Sequence, residues 1–273
     1  MEISHLTHLI FGSALGSALS PVHHLISLGI AYSLMSFEEY GTHNWALHRT
    51  TVLKLFPKGT IAGPESLQAV FREWWRARDK PLIEYSKQWR RNLAIRWRDT
   101  LDGHLDDHAR SHHTHFYKCF RDEEDPEGKE IGMEIPWSFY KYTLLLALPL
   151  CPIDWLTASY YVAFVFGHFI IWNAFHCAMH RRGPPWYVRI PPISWWFKYV
   201  EYYHFLHHQH RDKNFNAWLP LWDWLLGTLA QETQLDRRVW QLMEDGESVD
   251  RRGRPLVKTS GAHPDRQLAR RES

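Results

Sequence analysis

Four short histidine clusters, set at the edges of two long apolar blocks, limit what this chain of 273 residues can become. "HNWALH" places His43 and His48 just beyond the first block, and "HARSHH" carries His108, His112 and His113. "HCAMH" closes the second block with His176 and His180, and "HFLHH" supplies His204, His207 and His208. So many imidazoles beside a bilayer are costly unless something organises them, and histidine is the commonest metal ligand among side chains. Residues three and four apart share a face of an α-helix. His204, His207 and His208 should therefore point one way, as should His108 with His112 and His176 with His180. His43 and His48 are five apart, about 140° around an α-helix, and fit either different metals or a frayed helix end.

Ten imidazoles exceed what one four- to six-coordinate ion can use, so two ions are implied. Imidazole suits Zn, Cu, Fe and Ni alike. A structural zinc would take no more than four ligands, usually including cysteine, whereas Cys119, Cys151 and Cys177 lie far apart and form no CxxC pair. Redox chemistry on two iron ions fits the donor set best, with zinc a possible occupant of isolated protein.

The apolar blocks point to a membrane. Residues 6 to 37 are almost free of charge, with Pro21, His23 and His24 near the middle, enough for one tilted span or for two short helices broken at the proline. Gly12 and Gly16 form a small-xxx-small face. The second block runs from about Trp137 to Phe175 and is interrupted by "CPID" at 151 to 154. The helix after that break, from Trp155, is long enough to cross. A hairpin about the break returns the chain to the side it left, which lets clusters before and after it meet on one face. The start lacks a basic n-region and reads as a retained membrane segment. Between the blocks, "FREWWRARDKPLIEYSKQWRRNLAIRWRD" (71 to 99) interleaves basic residues with Trp, as suits a segment lying on anionic lipid and a cytosolic face. With a net charge of +2 and no nucleic-acid motif, nucleic acid is not expected as a partner. The expected fold is an all-α, integral membrane helical bundle with a cytosolic, histidine-rich di-metal cap. Residues 1–230 would form the membrane-embedded domain, with a basic, Trp-rich insertion at about 60–100, and residues 231–273 a charged, loosely ordered tail.

The order H-x4-H, H-x3-H-H, H-x3-H and H-x2-H-H with apolar blocks between resembles the fatty acid hydroxylase and sterol desaturase superfamily of membrane di-iron oxygenases. The stretch "FKYVEYYHFLHHQHRDKNFNAWLPLWDWLLGT" (197 to 228) is similar to that family's last histidine box and the signature after it, here Asn214, Phe215 and Asn216, then Trp222, Asp223, Gly227 and Thr228. The likeness covers roughly residues 30 to 230 and is greatest to the fatty acid 2-hydroxylase branch. Tyr203 stands where many relatives have His. Asn216 replaces the usual Gly, a change suited to positive φ.

The resemblance implies O2-dependent hydroxylation of an unactivated C–H bond in a fatty acyl, sterol or related lipid. The metal ligands would be His43, His48, His108, His112, His113, His176, His180, His204, His207 and His208. Ligand imidazoles need partners for their second ring N–H, for which Glu38, Glu39, Asp106, Asp107 and Asp223 are candidates. His104, His115, His168, His210, Tyr203 and Asn214 also lie close enough to the boxes to support the ligands. With no flavin or haem motif, electrons would come from a cytochrome b5 or ferredoxin-type donor docking on the 71 to 99 surface. Other readings are a lipid desaturase of the same superfamily, a zinc-dependent membrane hydrolase, for which no HExxH motif is present, and a non-catalytic metal-binding membrane protein.

Overall fold

A computed structural model describes residues 20–48, 52–60, 67–77, 81–117, 119–121, 143–181, 183 and 185–256. The small-residue face at Gly12 and Gly16, the start of the second apolar block and the last part of the tail lie outside these. The described regular structure is helical, apart from one bridge between Val249 and Pro255.

The first helix, α1 (Pro21–Gly41), starts where Ser20 accepts a hydrogen bond from the His23 amide at 3.1 Å and Pro21 pre-sets the first turn. It passes without a break into a π-helical turn, Thr42–Leu47. The basic segment forms α2 (Leu67–Ala77) and α3 (Leu82–Leu105). A second π-helical stretch, Asp106–His112, then runs into the single turn α4 (His113–Phe116). Within the basic segment, α3 runs directly into the stretch that carries "HARSHH" into the core. Its Leu101 and Leu105 pack on Leu53, while Arg90 and Arg91 stay exposed.

After α5 (Ala147–Leu150), the "CPID" break turns the chain as expected. Asp154 caps α6 (Trp155–Met179) by accepting from the amides of Leu156 and Thr157 at 3.1 and 3.3 Å. Among the described residues, α6 is the one helix long and apolar enough to cross a membrane. It packs along α1, with Ala31, Met35, Tyr161 and Val165 between them. Both helices also leave large apolar side chains exposed, among them Leu25, Ile26, Ile30, Phe166 and Ile170.

The remaining α-helices among the described residues are α7 (Ile193–Gln209), α8 (Leu221–Leu225) and α9 (Gln234–Glu244). The charged tail expected from residue 231 is packed as far as residue 256. A Thr233/Asp236 capping box starts α9, and Val239 and Met243 enter the core formed by α6 and α7. Trp240 and Leu242 pack against the same core, and Trp240 meets the rings of Tyr202 and Phe205 on α7, an apolar face that net composition hides.

Candidate metal centre

All ten histidines of the four clusters meet. His43, His48, His108, His113 and His207 bring one ring nitrogen each within 4.8 Å of one another, and His112, His176, His180 and His204 do the same in a second group. The tenth, His208, lies with Nε2 3.1 Å from that of His204 and its ring stacked on His113. Nine of the ten are buried and His48 is partly so.

The division differs from what α-helical spacing implied, because both stretches ahead of the first group are π-helical. Pairing of residue i with i+5 aligns residues five apart: the His48 amide donates to the His43 carbonyl at 3.1 Å, and the His113 amide caps onto that of His108. His43 and His48 therefore enter the same group, and so do His108 and His113. His112, expected beside His108, enters the other. On α7 the three histidines share the inner face, with ring centroids 4.6 to 5.9 Å apart, yet they divide between the groups, His207 entering the first and His204 the second. The Asp106–His112 stretch and α7 thus serve both groups.

Nitrogen–nitrogen distances test whether metal fits. In the first group Nε2 of His108 is 3.0 Å from that of His43 and 3.2 Å from that of His113, and Nε2 of His207 is 3.1 Å from His48 and 3.2 Å from His113. In the second, His112 and His176 are 3.2 Å apart and His180 and His204 3.1 Å. Imidazole nitrogen binds zinc-class ions at about 2.0–2.1 Å, which places neighbouring donors on one ion about 2.9–3.4 Å apart. The match extends to the protons. Nδ1–H of His43 donates to the Phe215 carbonyl at 2.7 Å, that of His180 to Phe120 at 2.7 Å and that of His207 to Lys213 at 2.6 Å. Those three rings therefore turn bare Nε2 lone pairs inward. Converging lone pairs repel one another unless a cation lies between them. Burial, the leading cause, pushes His108, His112, His113, His180, His204, His207 and His208 well below the usual histidine range, and His43 down as well. The rings are neutral at pH 7, the state a metal requires.

The partners of those ring N–H groups are backbone carbonyls rather than the acidic side chains expected. Asp223 explains how two of them are held. Its Oδ1 accepts from the Phe215 amide (2.9 Å) and Thr228 Oγ1 (2.6 Å), and its Oδ2 from the Asn216 amide (2.7 Å) and Tyr203 hydroxyl (2.6 Å). Asn216 ties this knot to α1 by donating to the Ser36 carbonyl at 2.8 Å. Asn214 bonds the Tyr203 carbonyl and the Ala230 amide. It is Asn214, not Asn216, that takes positive φ, at 55°. The Asn-Phe-Asn and Trp-Asp motifs thus present the Lys213 and Phe215 carbonyls to His207 and His43. The third carbonyl, Phe120, sits beside Arg121, whose guanidinium grips Glu201 of α7 at 2.8 Å and Glu244 of α9 at 2.8 Å. No spacing pattern marks Arg121, Glu201 or a backbone oxygen, so none was identifiable from sequence.

The other candidates stand further out. His210 pairs with Asp236 at 2.9 Å, Asp106 pairs with Arg110, Asp107 is exposed, and neither His104 nor His115 belongs to either group. His168 bonds Glu39 at 2.6 Å. Both of these, with Glu38, line a pocket enclosing about 630 Å³ of non-atom space including its mouth. Its wall contains His43 and His108 of the first group, His176 of the second, and the apolar side chains of Met35, Leu47, Val165 and Trp172.

No family model, curated protein or solved structure matches this chain.

Proposed function

We propose that the chain is a membrane-bound, O2-dependent di-iron oxidoreductase that hydroxylates an unactivated C–H bond of a lipid. The observation that carries this reading is the pocket, in which histidines of both groups share one wall with apolar side chains of α1 and α6. Its mostly apolar lining suits an alkyl chain. His43, His48, His108, His113 and His207 would hold one ion, and His112, His176, His180 and His204 the other, with His208 beside them. Iron held there would supply the O2-binding and one-electron chemistry that no side chain has. The chain's own part is to gather ten imidazoles, to fix three of them through carbonyls, and to seat the substrate away from water. The apolar exposure of α1 and α6 supports a membrane setting with the histidine cap on the cytosolic side. The basic faces of α2 and α3 offer an acidic electron donor of the cytochrome b5 or ferredoxin type a place to dock.

A zinc-dependent hydrolase is the second reading, favoured by the carboxyl groups of Glu38 and Glu39 in the same wall. Glu39 is committed elsewhere, accepting from His168, from the Ala217 amide at 2.8 Å and from Asn216 at 3.2 Å, and one catalytic zinc leaves most of the ten histidines unexplained. The two readings separate on one preparation, by metal analysis of freshly purified protein and an O2-dependent product search with lipid extract. Iron with an oxidised lipid supports the proposal, and a hydroxyl or a new double bond tells hydroxylase from desaturase. Zinc with an ester or amide cleaved without O2 overturns it.

A further inference from the structure

Two adjacent carboxyl groups line the pocket, and their surroundings differ. Glu39 receives a ring N–H, a backbone amide and a side-chain amide, the donors that a carboxylate needs. Glu38 has one described partner, the hydroxyl of Tyr161. Tyr161 is fully buried, and the same hydroxyl bonds the Thr143 carbonyl at 2.9 Å. A phenol has one hydrogen to give. Once that hydrogen goes to Thr143, which can only accept through its carbonyl, the contact with Glu38 is completed by a hydrogen on the carboxyl group. An ionised Glu38 would also face a second carboxylate across an apolar cavity with no cation of its own among the described residues. The other titratable groups of this wall are His43, His108 and His176, and His168, which is engaged with Glu39. Glu38 itself is only partly buried, so the residue is not sealed from proton exchange.

We propose that Glu38, held by Tyr161, is a proton-bearing carboxylic acid that delivers protons into the pocket beside the histidine cluster. The role rests on the oxygenase reading. Converting C–H and O2 to C–OH and water takes two electrons, supplied by a one-electron protein donor, and two protons. Glu38 gives up one of those protons: its carboxyl O–H bond breaks and an O–H bond of the product water forms. The resulting carboxylate recovers a proton by exchange with solvent.

The first test needs neither metal nor turnover. At neutral pH exposed carboxyl groups are ionised, so infrared difference spectra of wild type against Glu38→Gln should lose a carboxylic-acid carbonyl band, and Tyr161→Phe should shift that band without removing it. The second test is turnover with lipid extract. Glu38→Gln should keep its metal and lose about 100-fold or more in O2-dependent product, the range of a missing general acid, while Glu38→Asp recovers part of it. A Glu38→Gln spectrum identical to wild type, or a Glu38→Gln protein turning over at the wild-type rate, overturns the assignment. Wild type that takes up metal but makes no O2-dependent product overturns the oxygenase reading instead, and the infrared band still decides whether Glu38 carries the proton.

Discussion

Asp223 has no solvent exposure and accepts four hydrogen bonds, two from backbone amides and two from hydroxyls. Replacing it by Asn keeps the shape but turns an NH2 group toward donors. The Asp223→Asn protein should lose about 2–4 kcal/mol of stability, the cost of unmatched buried polar groups. Because the Phe215 carbonyl behind His43 loses its anchor, metal affinity should also fall, by about 10- to 100-fold, as for other partners of ligand histidines. Denaturant titration and metal competition on the same sample check both numbers. Tyr203→Phe removes only one of the four bonds and should cost about 1 kcal/mol. An Asp223→Asn protein with wild-type metal affinity would mean that the carbonyl does not orient His43.

At the scale of elements, the ten clustered histidines are legible in the sequence because short spacings beside apolar blocks survive almost any helix geometry. Their division into groups is not. That depends on two π-helical stretches, and a π-helical turn has no composition of its own: "THNWAL" and "DDHARSH" read as α-helix by every local rule. Placing His43 with His48 needs the i+5 pairing, which only the packed structure reveals. The "CPID" break is legible because Pro152 and the capping Asp154 act locally, whereas the docking of α9 depends on Val239 and Met243 meeting a surface made by distant residues. The basic segment shows both sides. Its Arg and Trp content marks an exposed face, yet nothing local says that α3 leads directly into the metal cluster. The outer face should be separable from the inner one: Arg90→Glu with Arg91→Glu should leave metal content unchanged while weakening binding to anionic vesicles and reduction by an acidic donor. Loss of metal in that variant would mean that the exposed face also supports the core.

For the whole molecule, the cluster makes stability depend on pH and on metal together. The buried rings have folded-state pKa values below the ordinary 6.5. Above that value folded and unfolded chains both hold neutral histidines, and the cluster adds no pH dependence. Below it the unfolded chain takes up protons that the folded one refuses, so stability falls as the pH drops. Metal-free protein in detergent should therefore show a melting temperature that is level from about pH 7 upward and falls below about 6.5, and bound metal should move the fall to lower pH. A melting temperature that stays level down to pH 5 would mean that the rings are not buried together. The most direct measurement of the account is the metal content of folded chain, for wild type beside His207→Ala, His204→Ala and His210→Ala. Two separate groups predict about two ions per wild-type chain, loss from the His207 group in the first variant and from the His204 group in the second, and full content in His210→Ala, whose ring pairs with Asp236 instead. Full metal content in folded His207→Ala and His204→Ala would contradict the centre described here.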